Sequence, residues 1–114
     1  MPMIQTKTSV EITKEQELTL KSELGKAIAI LPGKTEQWLM TSFEDNCRMY
    51  FRGDSSKPLA FVEVKVYGKI NPSAADKLTA KICEIFNSVL GIDPSSVYVK
   101  YEEVALWGWN GGNF

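Results

Sequence analysis

Two apolar stripes at helical spacing and several alternating runs divide this chain into elements. Leu20, Leu24, Ala27, Ile28 and Leu31 recur at steps of three and four, which places them along one side of a helix. Thr13-Lys14-Glu15-Gln16 has the spacing of a capping box, so that helix should begin at Thr13 and stop at Pro32-Gly33. A second stripe, Leu78, Ile82, Ile85, Phe86 and Val89, follows Asn71-Pro72, a capping side chain with proline at the first helical position. Gly91 closes it. Strand signals lie between and around the stripes. Val62, Val64 and Val66 alternate with Glu63 and Lys65, the mark of a sheet with one covered face. Met3 to Thr8, Trp38 to Phe43 and Val97 to Tyr101 read as further strands, and Arg48 to Arg52 as a short edge strand.

The same pattern is written twice. Gly33 and Gly91 stand 58 positions apart, and at that spacing Leu20 falls on Leu78, Leu24 on Ile82, Ala27 on Ile85, Ile28 on Phe86 and Leu31 on Val89, without gaps. Further on, Phe43-Glu44-Asp45 falls on Tyr101-Glu102-Glu103. The expected fold class is α/β in the α+β sense. It is a tandem βαβ repeat, about 1–57 and 58–114, in a single domain, with a four-stranded mixed sheet and two helices on one face. A sheet with an uncovered second face would expose apolar residues, so association through the sheet is expected.

Composition narrows the function classes. With 114 residues there is room for one substantial core. Thirteen basic against fourteen acidic residues leave a net charge of −1, so no basic face is implied and nucleic acid is not an expected partner. The longest apolar run, Ala27 to Pro32, is far short of a membrane span, and the start shows no charged segment followed by an apolar stretch. A cytoplasmic location is the resulting expectation. Cys47 and Cys83 are widely separated and form no metal-ligand pattern, which fits idle thiols in a reducing compartment.

The candidate chemistry lies at the amino terminus. The chain has no histidine, so the side chain most often used for proton transfer near neutral pH is absent. Removal of Met1 would leave Pro2 as a free secondary amine, a titratable base made from the backbone itself. Met-Pro is also an ordinary way for a chain to start. Lys34 after Pro32-Gly33 suits a helix end on dipole grounds alone. Tyr98, Trp109 and Phe114 could be core or interface aromatics, and Gly111-Gly112 reads as a turn.

Taken together, these pieces resemble the macrophage migration inhibitory factor family of the tautomerase superfamily. The matching residues are Met1-Pro2-Met3, Leu31-Pro32-Gly33-Lys34, Met49 to Gly53 with Ser55-Ser56 and Pro58, Gly68-Lys69-Ile70, Val97-Tyr98-Val99, and the ending Trp107-Gly108-Trp109-Asn110-Gly111-Gly112-Asn113-Phe114. They run in order over essentially the whole chain. The resemblance implies a homotrimer whose sheets wrap into a barrel-like core, with active sites at the subunit interfaces. It implies cofactor-free keto–enol tautomerisation of small aryl 2-keto acids such as phenylpyruvate, and of dopachrome-like compounds, with Pro2 as base. It also implies a cytokine-like alternative, with a receptor as partner if the protein is secreted by a route that needs no signal peptide.

Residue by residue, the resemblance implies that Lys34 pairs with the substrate carboxylate and that Tyr98 enters the pocket from the neighbouring subunit. Trp109 and Phe114 would wall an aromatic substrate, with Trp38 and Trp107 as additions. Tyr67 matches a position whose backbone lines the pocket, where isoleucine is frequent in the family. Lys100 stands where asparagine is common and is expected to add a second cation. Some family members carry a CxxC motif credited with thiol–protein oxidoreductase chemistry. Leu59-Ala60-Phe61-Val62 occupies that segment here, so no such activity is expected by that route.

Overall fold

A computed structural model describes residues 1–114. Its sheet is assembled from β1 (Pro2–Thr8), β2 (Met40–Glu44), β3 (Ala60–Tyr67) and β4 (Val97–Val104), in the order β2-β1-β3-β4. β1 pairs parallel with β2 and antiparallel with β3, and β3 pairs parallel with β4. Helix α1 (Lys14–Ala27) connects β1 to β2, and α2 (Pro72–Leu90) connects β3 to β4. Even the single 3-10 turns at Glu36–Trp38 and Pro94–Ser96 recur, each just before the last strand of its half.

Local chemistry sets the start of both helices and the end of the second where the spacing predicts. The Thr13 hydroxyl accepts the Gln16 N–H (3.2 Å) while the Gln16 side chain accepts the Thr13 N–H (3.0 Å), a complete capping box. The Asn71 side chain accepts the Ala74 N–H at 3.0 Å. Gly91, at φ 68°, closes α2 in the left-handed region that glycine tolerates. The first helix ends earlier than its apolar stripe suggests. α1 stops at Ala27 and Ile28–Ile30 tighten into a 3-10 turn, which still keeps Ile28 in the core.

Both helices lie over one face of the sheet. Ile4, Val62, Val64 and Val66 meet Leu20, Leu24, Ile28, Leu78, Ile82 and Phe86 in a single core, all ten fully buried. Each such side chain contributes about 1.5–3 kcal/mol by leaving water. The Tyr101 hydroxyl donates to the Ala75 carbonyl and also meets the Thr79 hydroxyl, both at 2.9 Å, tying β4 to α2. Neither helix is long and apolar enough to cross a membrane.

Three local expectations are corrected. Arg48–Arg52 is not a strand; its only pairing is a bridge between Phe51 and Asp54, because the chain turns back on itself there. Trp38 lies in the 3-10 turn, and strand pairing begins at Met40. The carboxy-terminal turn is Asn110-Gly111, with φ 51° and 86°, and Gly112 belongs to the short hairpin of β5 (Gly108–Trp109) and β6 (Gly112–Asn113). Asn-Gly is the preferred pair for such a two-residue turn.

The uncovered face also differs from expectation. Its cross-strand rows are Met40–Met3–Lys65–Glu102, Ser42–Gln5–Glu63–Lys100 and Glu44–Lys7–Phe61–Tyr98. Eight of those twelve side chains are polar or charged. Exposed apolar area is therefore confined to the two ends of the face.

Candidate functional site

Proline has no N–H to give a ladder, and Pro2 sits where that costs nothing, at the first position of β1 opposite Val66. Pairing with β3 brings the chain start beside the end of that strand. The Tyr67 N–H donates to the Met1 carbonyl at 3.0 Å. From the other side comes the turn after α1. Gly33 takes φ 79°, the Lys34 N–H donates to the Leu31 carbonyl, and the Lys34 ammonium donates to the Tyr67 carbonyl at 3.2 Å. The terminal amine of Met1 is held below its ordinary pKa, first by burial and then by the Lys34 charge.

Aromatic rings surround this point. The Glu36–Trp38 turn delivers Trp38, whose ring meets Trp109 edge-on with centroids 5.2 Å apart and planes at 89°. Trp109 stacks nearly parallel to Phe114 at 6.4 Å, and Phe114 tilts against Tyr67 at 5.5 Å. The Phe114 N–H donates to the Trp107 carbonyl at 3.0 Å, folding the last residue back toward the site. Pro2, Met3, Trp38, Met40, Trp107 and Trp109 line a recess of about 490 Å³. Such a place can hold an aromatic group beside the start of the chain, where the terminal amine has lowered proton affinity, and a carboxylate beside Lys34. No cluster of three or more His, Cys, Asp or Glu side chains is present that could hold a metal ion.

Of the residues singled out from sequence, Pro2, Lys34, Tyr67, Trp38, Trp109 and Phe114 come together within one protomer. Tyr98 and Lys100 do not. They point from the open face of β4 opposite Phe61 and Glu63, five and three positions along β3 from the Val66 that faces Pro2. At about 3.3 Å per strand residue, that is roughly 16 and 10 Å along the sheet. Lys100 is also not a free cation, since its ammonium lies 3.8 Å from both Glu63 and Glu102. The structure adds two details: the Tyr67 backbone, expected to line the pocket, aims its N–H at residue 1, and Met40 stands in the wall of the recess. The first is a main-chain group that no side-chain pattern announces. The second was legible in principle, because Met40 follows Trp38 in the same predicted run.

A sheet built from two βαβ units, with proline at the head of its first strand beside a lysine and an aromatic pocket, is the architecture of the tautomerase superfamily. The chain belongs to the macrophage migration inhibitory factor family, whose family model, "Macrophage migration inhibitory factor (MIF)", matches residues 1–114. It is 28% identical over 114 residues to "MIF-like protein mif-3" of Caenorhabditis elegans, covering 97% of this chain and 75% of that protein. It is similar to the crystal structure of Leishmania major MIF2, with 33% identity, a TM-score of 0.92 and coverage of 100% of this chain and 97% of that one. A macrophage migration inhibitory factor homologue from Prochlorococcus marinus gives 31% identity, a TM-score of 0.83 and coverage of 98% of each chain.

Proposed function

We propose that this protein is a cofactor-free keto–enol tautomerase of small aryl 2-keto acids, with phenylpyruvate and dopachrome-like compounds as its substrate type. Pro2, freed by removal of Met1, is the base. The observation that carries this reading is the position of Pro2 at the edge of an aromatic recess, next to a Met1 amine that burial and Lys34 hold below its ordinary pKa; with Met1 removed, the Pro2 amine comes under the same two influences. A base working near pH 7 needs a proton affinity close to that pH, and an unperturbed α-amino group titrates near 8.

In the reaction, the Pro2 nitrogen takes a proton from the carbon next to the ketone. The electron pair of that C–H bond moves to form the carbon–carbon double bond, the ketone oxygen takes a proton from solvent water to give the enol, and protonated Pro2 returns its proton to that water's hydroxide. The reverse direction returns a proton from Pro2 to carbon. Loss of Met1 also frees the Tyr67 N–H from the Met1 carbonyl. That N–H and the Lys34 ammonium then form the seat for the substrate carboxylate, while Trp38, Trp109 and Phe114 hold its ring. Tyr98 reaches the site only from another copy, so the working form is a homotrimer with sites at its interfaces. Lys100, compensated by Glu63 and Glu102, adds little net charge to the anion seat.

The Pro2→Ala variant tests this reading. Phenylpyruvate tautomerisation should fall by about a hundredfold or more, the usual contribution of a positioned base. A purified wild-type protein with Met1 removed and no measurable activity would sink it, leaving the family's cytokine-like binding role as the better account. Binding of a partner that survives Pro2→Ala would show that the two roles coexist.

A further inference from the structure

Three of the four aromatic pairs in the protein surround the Pro2 recess; the fourth does not. Phe51 meets Tyr98 edge-on, with centroids 5.3 Å apart and planes at 80°. The loop that carries Phe51 is unusually constrained for an exposed connection. Arg52 and Gly53 both take positive φ, 56° and 72°. The turn is closed in both directions, by the Phe51 N–H to the Asp54 carbonyl (2.9 Å) and the Asp54 N–H to the Phe51 carbonyl (3.0 Å). The Asp54 carboxylate accepts the Ser56 N–H and hydroxyl at 2.9 and 2.7 Å. The guanidinium carbon of Arg52 lies 5.1 Å from the centre of the Phe51 ring. A non-glycine residue is thus kept in a disfavoured conformation, and the result is one aromatic ring fixed against another.

Within the protomer the two rings help to line a small apolar recess with Met49, Leu59 and Phe61, away from Pro2. Tyr98 is 62% exposed and stands at the end of an otherwise largely polar face. Loose surface tyrosines are common; one braced by a closed turn, a ring and a cation is not. We propose that Phe51 is a positioning residue: braced by Arg52, it sets the Tyr98 ring in the orientation with which Tyr98 enters the Pro2 recess of a neighbouring copy. This rests on the reading of Pro2 as base and Tyr98 as a wall supplied by the neighbour. It adds that the loop between β2 and β3 controls substrate affinity without touching substrate.

The test compares wild type, Phe51→Leu, Phe51→Tyr, Tyr98→Leu and the double variant Phe51→Leu/Tyr98→Leu, using phenylpyruvate, with thermal melts run in parallel. Phe51→Leu should raise KM roughly two- to tenfold, the equivalent of one edge-to-face pair, and leave kcat within about twofold. Phe51→Tyr should retain wild-type KM. In the Tyr98→Leu background, Phe51→Leu should have no further effect. An unchanged KM in Phe51→Leu, or effects of the two substitutions that multiply, would overturn the inference while Pro2 as base still stands. An unchanged KM in Tyr98→Leu would overturn it as well, by removing Tyr98 from the site. An inactive wild type, or a Pro2→Ala variant as active as wild type, would bring down the underlying reading and this inference together. Should Phe51→Leu fail to fold, Arg52→Asn carries the test, because Asn-Gly keeps the turn and removes only the cation. The same rise in KM, abolished by Tyr98→Leu, is expected from it, and its absence overturns the proposal.

Discussion

At the residue scale, one nitrogen and one ammonium define the candidate site. Burial and the Lys34 charge both push the Met1 terminal amine toward its neutral form, the form that can accept a proton. The Pro2 amine freed by loss of Met1 comes under the same two influences, so the rate should rise with pH as Pro2 deprotonates, then level off. Lys34→Ala removes one of the two causes, so the rise should move to higher pH. The same change deletes a charge-assisted contact to the carboxylate, worth about 1.5–3 kcal/mol, and KM should increase roughly ten- to hundredfold. Lys100→Asn should raise KM by far less and leave its salt dependence nearly unaltered, since Glu63 and Glu102 already offset that charge. A pH–rate profile and a salt series on the three proteins check both statements. Sequence alone made Pro2 and Lys34 candidates, Pro2 through its backbone nitrogen next to the chain start and Lys34 through its side chain after Pro32-Gly33. For Tyr67 the resemblance implied a pocket-lining backbone, and the β1–β3 register shows which group of it turns to residue 1, the N–H.

At the element scale, what the sequence announced and what it hid follow the range of the forces involved. Capping at Thr13 and Asn71 and the stop at Gly91 depend on neighbours within four residues, and all three were readable. Arg48–Arg52 has strand-like residues, yet a strand needs a partner across space, and this segment finds only its own turn. The 3-10 ending of α1 keeps the apolar stripe almost unchanged, so periodicity could not reveal it. The carboxy-terminal hairpin matters most for function, because it carries Trp109 and Phe114. It is a two-residue turn with two short strands, held to the protein mainly through rings. Gly111 takes φ 86°, where a Cβ is disfavoured by about 1–2 kcal/mol. Gly111→Ala should therefore loosen the hairpin locally, raising KM for phenylpyruvate several-fold while the melting temperature barely moves. A matching loss of global stability would mean that the hairpin is part of the cooperative core.

At the scale of the whole molecule, the open side of the sheet decides how the protein works. Its middle row is wholly polar, with Glu63 opposite Lys100, and Lys65 faces Glu102 in the row beside it, so apolar burial over the whole face is not what would hold copies together. What remains are the outer edges of β2 and β4, whose ladder groups have no strand partner, and the apolar ends of the face around Met40 and Tyr98. Pro2, opposite Val66, and Tyr98, opposite Phe61, stand at opposite ends of the sheet, so one protomer does not bring them together. Sedimentation equilibrium should give a species of three times the 12.8 kDa chain mass. Specific activity should then fall when the protein is diluted far enough for that species to dissociate, and the loss should be reversed on concentration. Tyr98→Leu should weaken this dilution effect on KM, because the dissociated form has already lost the same ring. A monomer with full activity would show instead that Pro2, Lys34 and the aromatic recess suffice alone, and Tyr98 would then have no place in the chemistry.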